Sequence, residues 1–212
     1  MLVSFFISII GLLFLFLNSV LFVVSRKGKN KVYQYVTLYL LVQFIIELSC
    51  NVIGILKPNE NFFISHYAFV IQFVLLSLFF KQVLKNAFLK KLVILNSIVV
   101  LLILSFQYYR TPNLYWSFNY FEIGITSILL VLYAVVYFYE NLKETYNYFY
   151  FCLGLVFYLT SSCLIFLTGN TELVFFTEPF YFDIWIFNSI FFILYQAFIY
   201  KEWRNLRVKV MS

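Results

Sequence analysis

Long apolar runs, separated by short polar connections, follow one another along most of the chain. Runs of about 18 or more apolar residues are long enough to cross a hydrocarbon core of roughly 30 Å as α-helices. The pattern predicts an all-α bundle of seven transmembrane helices that forms a single transmembrane domain over residues 1–212. The predicted spans are residues 2–24, 32–56, 62–80, 92–108, 120–139, 148–167 and 182–200.

Composition agrees with this pattern. Of the 212 residues, 64% are hydrophobic and only 11% are charged, and the mean hydropathy is +0.92. Soluble domains carry about 25% charged residues. The composition therefore excludes a soluble globular protein and indicates an integral membrane protein.

The basic residues predict the orientation of the bundle, because cytoplasmic connections near helix ends retain Lys and Arg. All but two of the 15 basic residues follow the first, third, fifth and seventh spans; the exceptions are Lys57 and Arg110. Pro58, Pro112 and Pro179 fall in the other three connections. We predict an outer N-terminus and a cytoplasmic C-terminus. The net charge of +6 then favours anionic membrane lipids as partners and is no indication of nucleic acid.

The second span carries a carboxylate, Glu47, inside the sequence FIIELSCNVIG. An ionised acid at the centre of a bilayer costs roughly 2.5 to 3.5 kcal/mol, so such residues face the bundle interior and often mark function. Gln43, Glu47, Asn51 and Gly54 are spaced by three or four residues and therefore share one helical face. We call these four residues the span-two stripe.

Other polar residues concentrate in the outer halves of the later spans. Counting about 1.5 Å per residue from the connection between spans two and three places His66 near the level of Asn51, one turn above Glu47. A hydrogen bond from His66 to Glu47 or Asn51 is therefore expected. The remaining candidates for ligand binding or proton coupling are Glu122, Asp183, Trp185 and Asn188.

Together these residues predict a polar cavity that opens to the outside. Glu47, Asn51, His66 and Asn188 are expected to line it, with Glu122 and Asp183 nearer the rim. The alternative role for the same side chains is hydrogen bonding between helices, which contributes about 0.6 to 2 kcal/mol per bond.

The residue inventory excludes several kinds of membrane enzyme. A single His rules out zinc and di-iron sites that need clustered His ligands. Asp183 is the only Asp, so an aspartyl intramembrane protease is excluded, and no Gly-rich phosphate loop is present. We expect a protein that is not an enzyme and that has no catalytic residue, metal or cofactor.

Two segments, YFYFCLGLVFYLTSSCLIFLTGN and IWIFNSIFFILYQAFIYKEW, carry a family resemblance. The positions concerned are Phe151, Gly154, Tyr158, Ser161, Ser162, Trp185 and Asn188. The chain resembles a family of small seven-helix membrane proteins in Bacteroidota at these positions. The Glu of span two and the pair His66 and Tyr67 are similar to that family as well. Members are often encoded beside sensor histidine kinases. The resemblance implies a signalling role in the bacterial inner membrane and a histidine kinase or another membrane protein as partner.

Three functions are compatible with these observations. The first is a sensor or signalling accessory that binds a small or lipidic ligand from outside and acts through a partner, because the cytoplasmic connections and tail are too short for an output domain. The second is a small-solute or proton-linked transporter that uses Glu47 as its titrating carboxylate. The third is a structural subunit of an envelope complex.

Overall fold

The computed structural model describes residues 2–25, 30–57, 61–142, 147–168, 174–176 and 182–211. Seven helices within these ranges are long and apolar enough to cross a membrane, which confirms the predicted all-α, seven-helix fold. The helices are α1 (Leu2–Val24), α2 (Lys31–Leu56), α3 (Phe62–Val83), α4 (Ala87–Arg110), α5 (Tyr120–Glu140), α6 (Phe149–Phe166) and α7 (Ile184–Met211). A short 3-10 helix, Pro112–Trp116, joins α4 to α5. Strands β1 (Val174–Phe176) and β2 (Phe182–Asp183) pair antiparallel before α7, with Val174 opposite Asp183.

Asparagine side chains set the starts of three helices. The side-chain oxygen of Asn30 accepts a hydrogen bond from Tyr33 N at 3.0 Å, and that of Asn86 accepts one from Phe88 N at 2.8 Å. Asn119 caps α5 in the same way. Asn is a favoured N-cap because its side chain satisfies backbone donors that have no partner within the helix. The Asn86 cap explains why α4 begins at Ala87, earlier than the predicted residue 92.

Six of the helices form a closed ring in the order α1, α2, α3, α5, α6, α7, and α7 packs back on α1. Helix α4 lies outside this ring, mainly against α3, with a smaller contact on α5. The 3-10 helix packs on both α3 and α4. The 3-10 helix therefore covers one end of the contact between α3 and α4.

Aromatic side chains fill the interior of the six-helix ring. Phe79 of α3 meets Phe151 of α6 edge to face at 5.1 Å, and both rings are completely buried. Gly154 allows α6 to approach α7, because a Cβ at this position would lie 2.7 Å from Cβ of Phe198 and 3.0 Å from Tyr195. The interior is therefore closely packed in this region, and a side chain larger than Gly at position 154 would require movement of α7.

Two carboxylates cap helix starts at the predicted inner end. Glu202, on the part of α7 that extends beyond the predicted span, accepts hydrogen bonds from the backbone N–H groups of Tyr148, Tyr150 and Phe151 at 2.8, 2.8 and 3.4 Å. Glu140, the last residue of α5, accepts two from the N–H groups just before α4. Both contacts use the positive end of a helix dipole. They tie α7 to α6 and α5 to α4.

Candidate functional site

A buried polar cluster lies where α3, α4 and α5 meet at the predicted outer end of the bundle. It comprises His66, Tyr108, Asn119 and Glu122, and we call it the Glu122 cluster. Asn119 caps α5 by accepting hydrogen bonds from the backbone N–H groups of Phe121 and Glu122. This cap places Glu122 in the first turn of α5, where the helix dipole favours a negative charge.

Glu122 is fully buried and binds two neighbouring side chains through the same oxygen. Tyr108 donates its hydroxyl hydrogen to Oε2, and Nδ1 of His66 lies 3.2 Å from that oxygen. Nδ1 is also 2.8 Å from the hydroxyl oxygen of Tyr108, which accepts a further hydrogen bond from Asn119 at 3.2 Å. One carboxylate thus joins the three helices through side chains that all contact one another.

The tautomer of His66 decides which of its ring nitrogens donates a hydrogen bond. With the hydrogen on Nδ1, this atom donates to Glu122 or to Tyr108, and in the neutral imidazole Nε2 is then an acceptor. When the imidazole is protonated, His66 and Glu122 form an ion pair.

Two polar atoms of the cluster have no hydrogen-bond partner within the described part of the chain. They are Oε1 of Glu122 and Nε2 of His66, and both are buried. A buried polar atom without a partner costs about 1 to 3 kcal/mol. Such atoms are rare in folded proteins and call for a specific explanation. The cluster therefore retains hydrogen-bonding capacity for a further group.

A cavity of about 560 Å³ lies directly beside the cluster, between α3, α4 and the 3-10 helix. Its lining residues are His66, Tyr67, Val70, Tyr108, Pro112, Tyr115 and Trp116. We call it the aromatic cleft. Its volume falls within the range of roughly 300 to 1,000 Å³ that is typical of small-molecule sites.

Hydrogen bonds and ring contacts organise the walls of the aromatic cleft. The hydroxyl groups of Tyr67 and Tyr115 are 3.0 Å apart and join α3 to the 3-10 helix. Tyr115 stacks on the ring of His66, with centroids 5.7 Å apart and an interplanar angle of 27°. His66 and Tyr108 belong to both the cleft and the Glu122 cluster. A ligand in the cleft would therefore contact the cluster directly.

The span-two stripe has different partners from those expected. Gln43 donates to Oε1 of Glu47 at 3.1 Å, and the amide of Asn51 donates to the backbone oxygen of Glu47 at 2.8 Å. Ser8 of α1 donates to Asn51 at 3.3 Å. The stripe thus links α2 to α1, while His66 pairs with Glu122 and Tyr108. The depth count placed the residues along the bundle but could not tell toward which neighbouring helix each one turns.

The candidates Asp183, Trp185 and Asn188, at and just before the start of α7, have other neighbours. Trp185 packs against Phe118 and Phe166 with centroid distances of 5.6 and 5.2 Å. Asn188 is half-buried, and its Oδ1 has no partner among the residues described. Asp183 belongs to β2, and its side chain is outside the described part of the structure. The eight candidates therefore fall into separate groups, and the structure brings together His66 and Glu122.

Sequence reasoning missed several residues of the site, namely Tyr108, Tyr115, Trp116 and Asn119. All of them lie in one outer segment, QYYRTPNLYWSFNYFE, which ends at Glu122. Its aromatic and amide content was a usable signal. Glu122 was expected near the rim, yet it is completely buried, because Tyr108 and His66 cover it.

Comparisons of the chain with protein-family models, with curated proteins and with solved structures gave no match. Its seven apolar helices define it as a multi-pass integral membrane protein. Within the described ranges, no group of three or more His, Cys, Asp or Glu side chains is placed to hold a metal ion. Functional inference therefore rests on the geometry of the Glu122 cluster and the aromatic cleft.

Proposed function

We propose that this protein is a membrane-embedded sensor or signalling accessory that binds a small or lipidic ligand in the aromatic cleft and acts through a membrane partner, such as a histidine kinase. The observation that carries the proposal is the contact between the cleft and the Glu122 cluster, through the shared residues His66 and Tyr108. Ligand binding there can change contacts among α3, α4 and α5 at once.

Packing deeper in the bundle supports binding rather than passage through the protein. Three aromatic side chains of α3 are completely buried, namely Phe73, Phe79 and Phe80. Phe80 contacts Tyr133 of α5, and Phe79 contacts Phe151 of α6. This aromatic packing favours a ligand that enters and leaves from the predicted outer end.

Helix α5 supplies a direct connection to the predicted inner end. It runs without interruption from the Glu122 cluster to Glu140, whose carboxylate accepts hydrogen bonds from the N–H groups of Lys85 and Asn86 before α4. Further basic residues, Lys81, Lys90 and Lys91, lie close in sequence to this contact. A movement of α5 at Glu122 would act on this contact, and the neighbouring lysines suit an acidic partner segment or anionic lipid headgroups.

Filling the cleft tests the ligand-binding part of the proposal. Val70→Trp adds a large side chain to the cleft wall, and Val99→Trp, at a position on α4 that is 44% exposed, is the matched control. Native mass spectrometry of protein extracted gently from its own membranes should show a bound small molecule on the wild type and on Val99→Trp, and none on Val70→Trp. Equal retention by all three proteins, or no bound molecule on any, would contradict ligand binding in the cleft.

Cross-linking in native membranes tests the partner. The wild type is expected to co-purify with a membrane protein in a fixed ratio, and Val70→Trp is expected to change the output of that partner while Val99→Trp does not. A protein that cross-links to no partner in its own membrane would argue against the signalling role.

A further inference from the structure

We propose that the aromatic cleft recognises an organic ammonium group, carried either by a free lipophilic amine or by an aminolipid headgroup. This inference rests on the proposed function and specifies the chemistry of its ligand. It is derived from the aromatic rings of the cleft, from the buried Glu122 carboxyl group behind its wall and from the unpartnered Nε2 atom of His66.

The cleft presents aromatic rings in several orientations. Tyr115 and Trp116 meet edge to face with centroids 5.2 Å apart and an interplanar angle of 85°, and Tyr67 lies at 89° to Tyr115. Tyr108 adds a fourth ring. Cations bind over aromatic faces, and aromatic cages are a common way to recognise alkylated ammonium groups.

A buried carboxyl group lies behind this wall. Glu122 contacts Tyr108 and His66, which both line the cleft. No Lys or Arg is among the lining residues. Arg110, the basic residue nearest in sequence to Tyr108, packs over the ring of Phe106 at 5.2 Å. A buried carboxylate without a compensating charge is costly, so a cation in the cleft is favoured over a neutral ligand of the same shape.

Nε2 of His66 is a buried ring nitrogen with no hydrogen-bond partner among the described residues. When the hydrogen of the neutral imidazole is on Nδ1, Nε2 is an acceptor and suits a ligand group that donates a hydrogen bond. A primary ammonium group supplies both a donor and a positive charge. An alcohol supplies the donor alone, and a quaternary ammonium group supplies the charge alone. These three chemistries can therefore be separated by experiment.

The test uses three probes with one carbon skeleton: 2-phenylethylamine, trimethyl(2-phenylethyl)ammonium and 2-phenylethanol. Trp116 lies in the cleft wall, and the chain has 3 Trp residues, so a Trp185→Phe/Trp203→Phe background reports on the cleft through its fluorescence. In vesicles of phosphatidylglycerol, the amine should quench Trp116 at a concentration at least tenfold lower than the alcohol. If the double substitution unfolds the protein, the wild type is titrated by thermal shift with the same three probes.

Variants show whether the preference for the amine comes from the Glu122 carboxyl group. Glu122→Gln should reduce the preference for the amine over the alcohol to about one, while Glu140→Gln, which changes an acid at the opposite end of the molecule, should leave the preference unchanged. Equal binding of amine and alcohol by the wild type would overturn the ammonium inference and leave a ligand site in place. Absence of binding by all three probes would overturn the site itself.

The source of the ammonium group is resolved by lipid composition. Addition of phosphatidylethanolamine to the phosphatidylglycerol vesicles should weaken amine binding if the headgroup occupies the cleft, which would identify an aminolipid as the ligand. Amine binding that is unchanged by phosphatidylethanolamine would identify a free amine. In both cases an ammonium group is the recognised chemistry.

Discussion

Two carboxylates are buried at opposite ends of this bundle, and their surroundings differ. Glu202 is 2% exposed, and its oxygens accept hydrogen bonds from the N–H groups of three residues at the start of α6. Glu122 is 0% exposed, and Tyr108 and His66 both bind its Oε2, while Oε1 has no hydrogen-bond partner among the described residues. Burial alone therefore does not distinguish a structural acid from a candidate binding acid. The two acids differ in how many of their carboxyl oxygens accept a hydrogen bond from the described residues.

Removal of the structural acid should have the largest effect on stability. Glu202→Ala leaves the backbone N–H groups of Tyr148, Tyr150 and Phe151 without their acceptor, at and just before the start of α6. Hydrogen bonds to charged groups contribute about 1.5 to 3 kcal/mol each. Because part of this loss is recovered by water, we expect the free energy of unfolding to fall by about 3 kcal/mol. Equilibrium unfolding in mixed detergent micelles measures the change. A loss as small as that of a surface substitution would mean that Glu202 is not needed to hold α6.

The cap at Glu140 provides an intermediate case. Its carboxylate is half-buried and accepts hydrogen bonds from the N–H groups of Lys85 and Asn86. Loss of a cap typically costs about 1 kcal/mol, so Glu140→Ala should destabilise the protein by about that amount. The same unfolding measurement applies. An effect equal to that of Glu202→Ala would show that exposure to solvent does not reduce the value of such a cap.

Substitution of the candidate binding acid should affect stability less. In Glu122→Gln the amide oxygen can still accept the hydrogen bond from Tyr108, and the side chain can no longer carry a charge in this buried position. We expect a change of less than about 1 kcal/mol in the free energy of unfolding, in either direction. A loss comparable to that of Glu202→Ala would place Glu122 among the structural acids and remove the contrast between the two ends.

The smallest effect is expected at Glu47. This side chain is half-buried, and its described hydrogen bond comes from Gln43 on the same helix. A pair of this kind contributes about 0.2 to 0.5 kcal/mol, so Glu47→Gln should change the midpoint of thermal unfolding by very little. Solute uptake in proteoliposomes that depends on Glu47 would instead support the transporter hypothesis and assign this carboxylate a role of its own.

The seven helices were predictable because a membrane-spanning helix requires a long apolar run, and that requirement is visible in the sequence itself. The position of α4 outside the ring was not predictable, since α4 is a long apolar span like the helices that form the ring. For the same reason, the pairing of His66 with Glu122 rather than with Glu47 could not be deduced. Depth along a helix follows from counting residues, but the direction that a side chain faces follows from packing.

The site residues differ in the same way. Glu47, His66 and Glu122 stood out because acids and histidine are rare in apolar spans. Tyr108 and Tyr115 did not, because tyrosine is common at membrane interfaces and the chain contains 18 of them. Only the structure shows that these two rings contact His66.

The position of α4 has a consequence for how a ligand would reach the site. The aromatic cleft lies on the outside of the six-helix ring, and Tyr67 and Trp116 in its wall are 51% and 66% exposed. A lipophilic ligand would therefore reach the cleft from the side of the bundle at its predicted outer end, and not through the interior of the six-helix ring. Its occupancy would depend on its concentration in the membrane, so that partitioning into lipid, as well as affinity for the protein, would set the range to which the site responds.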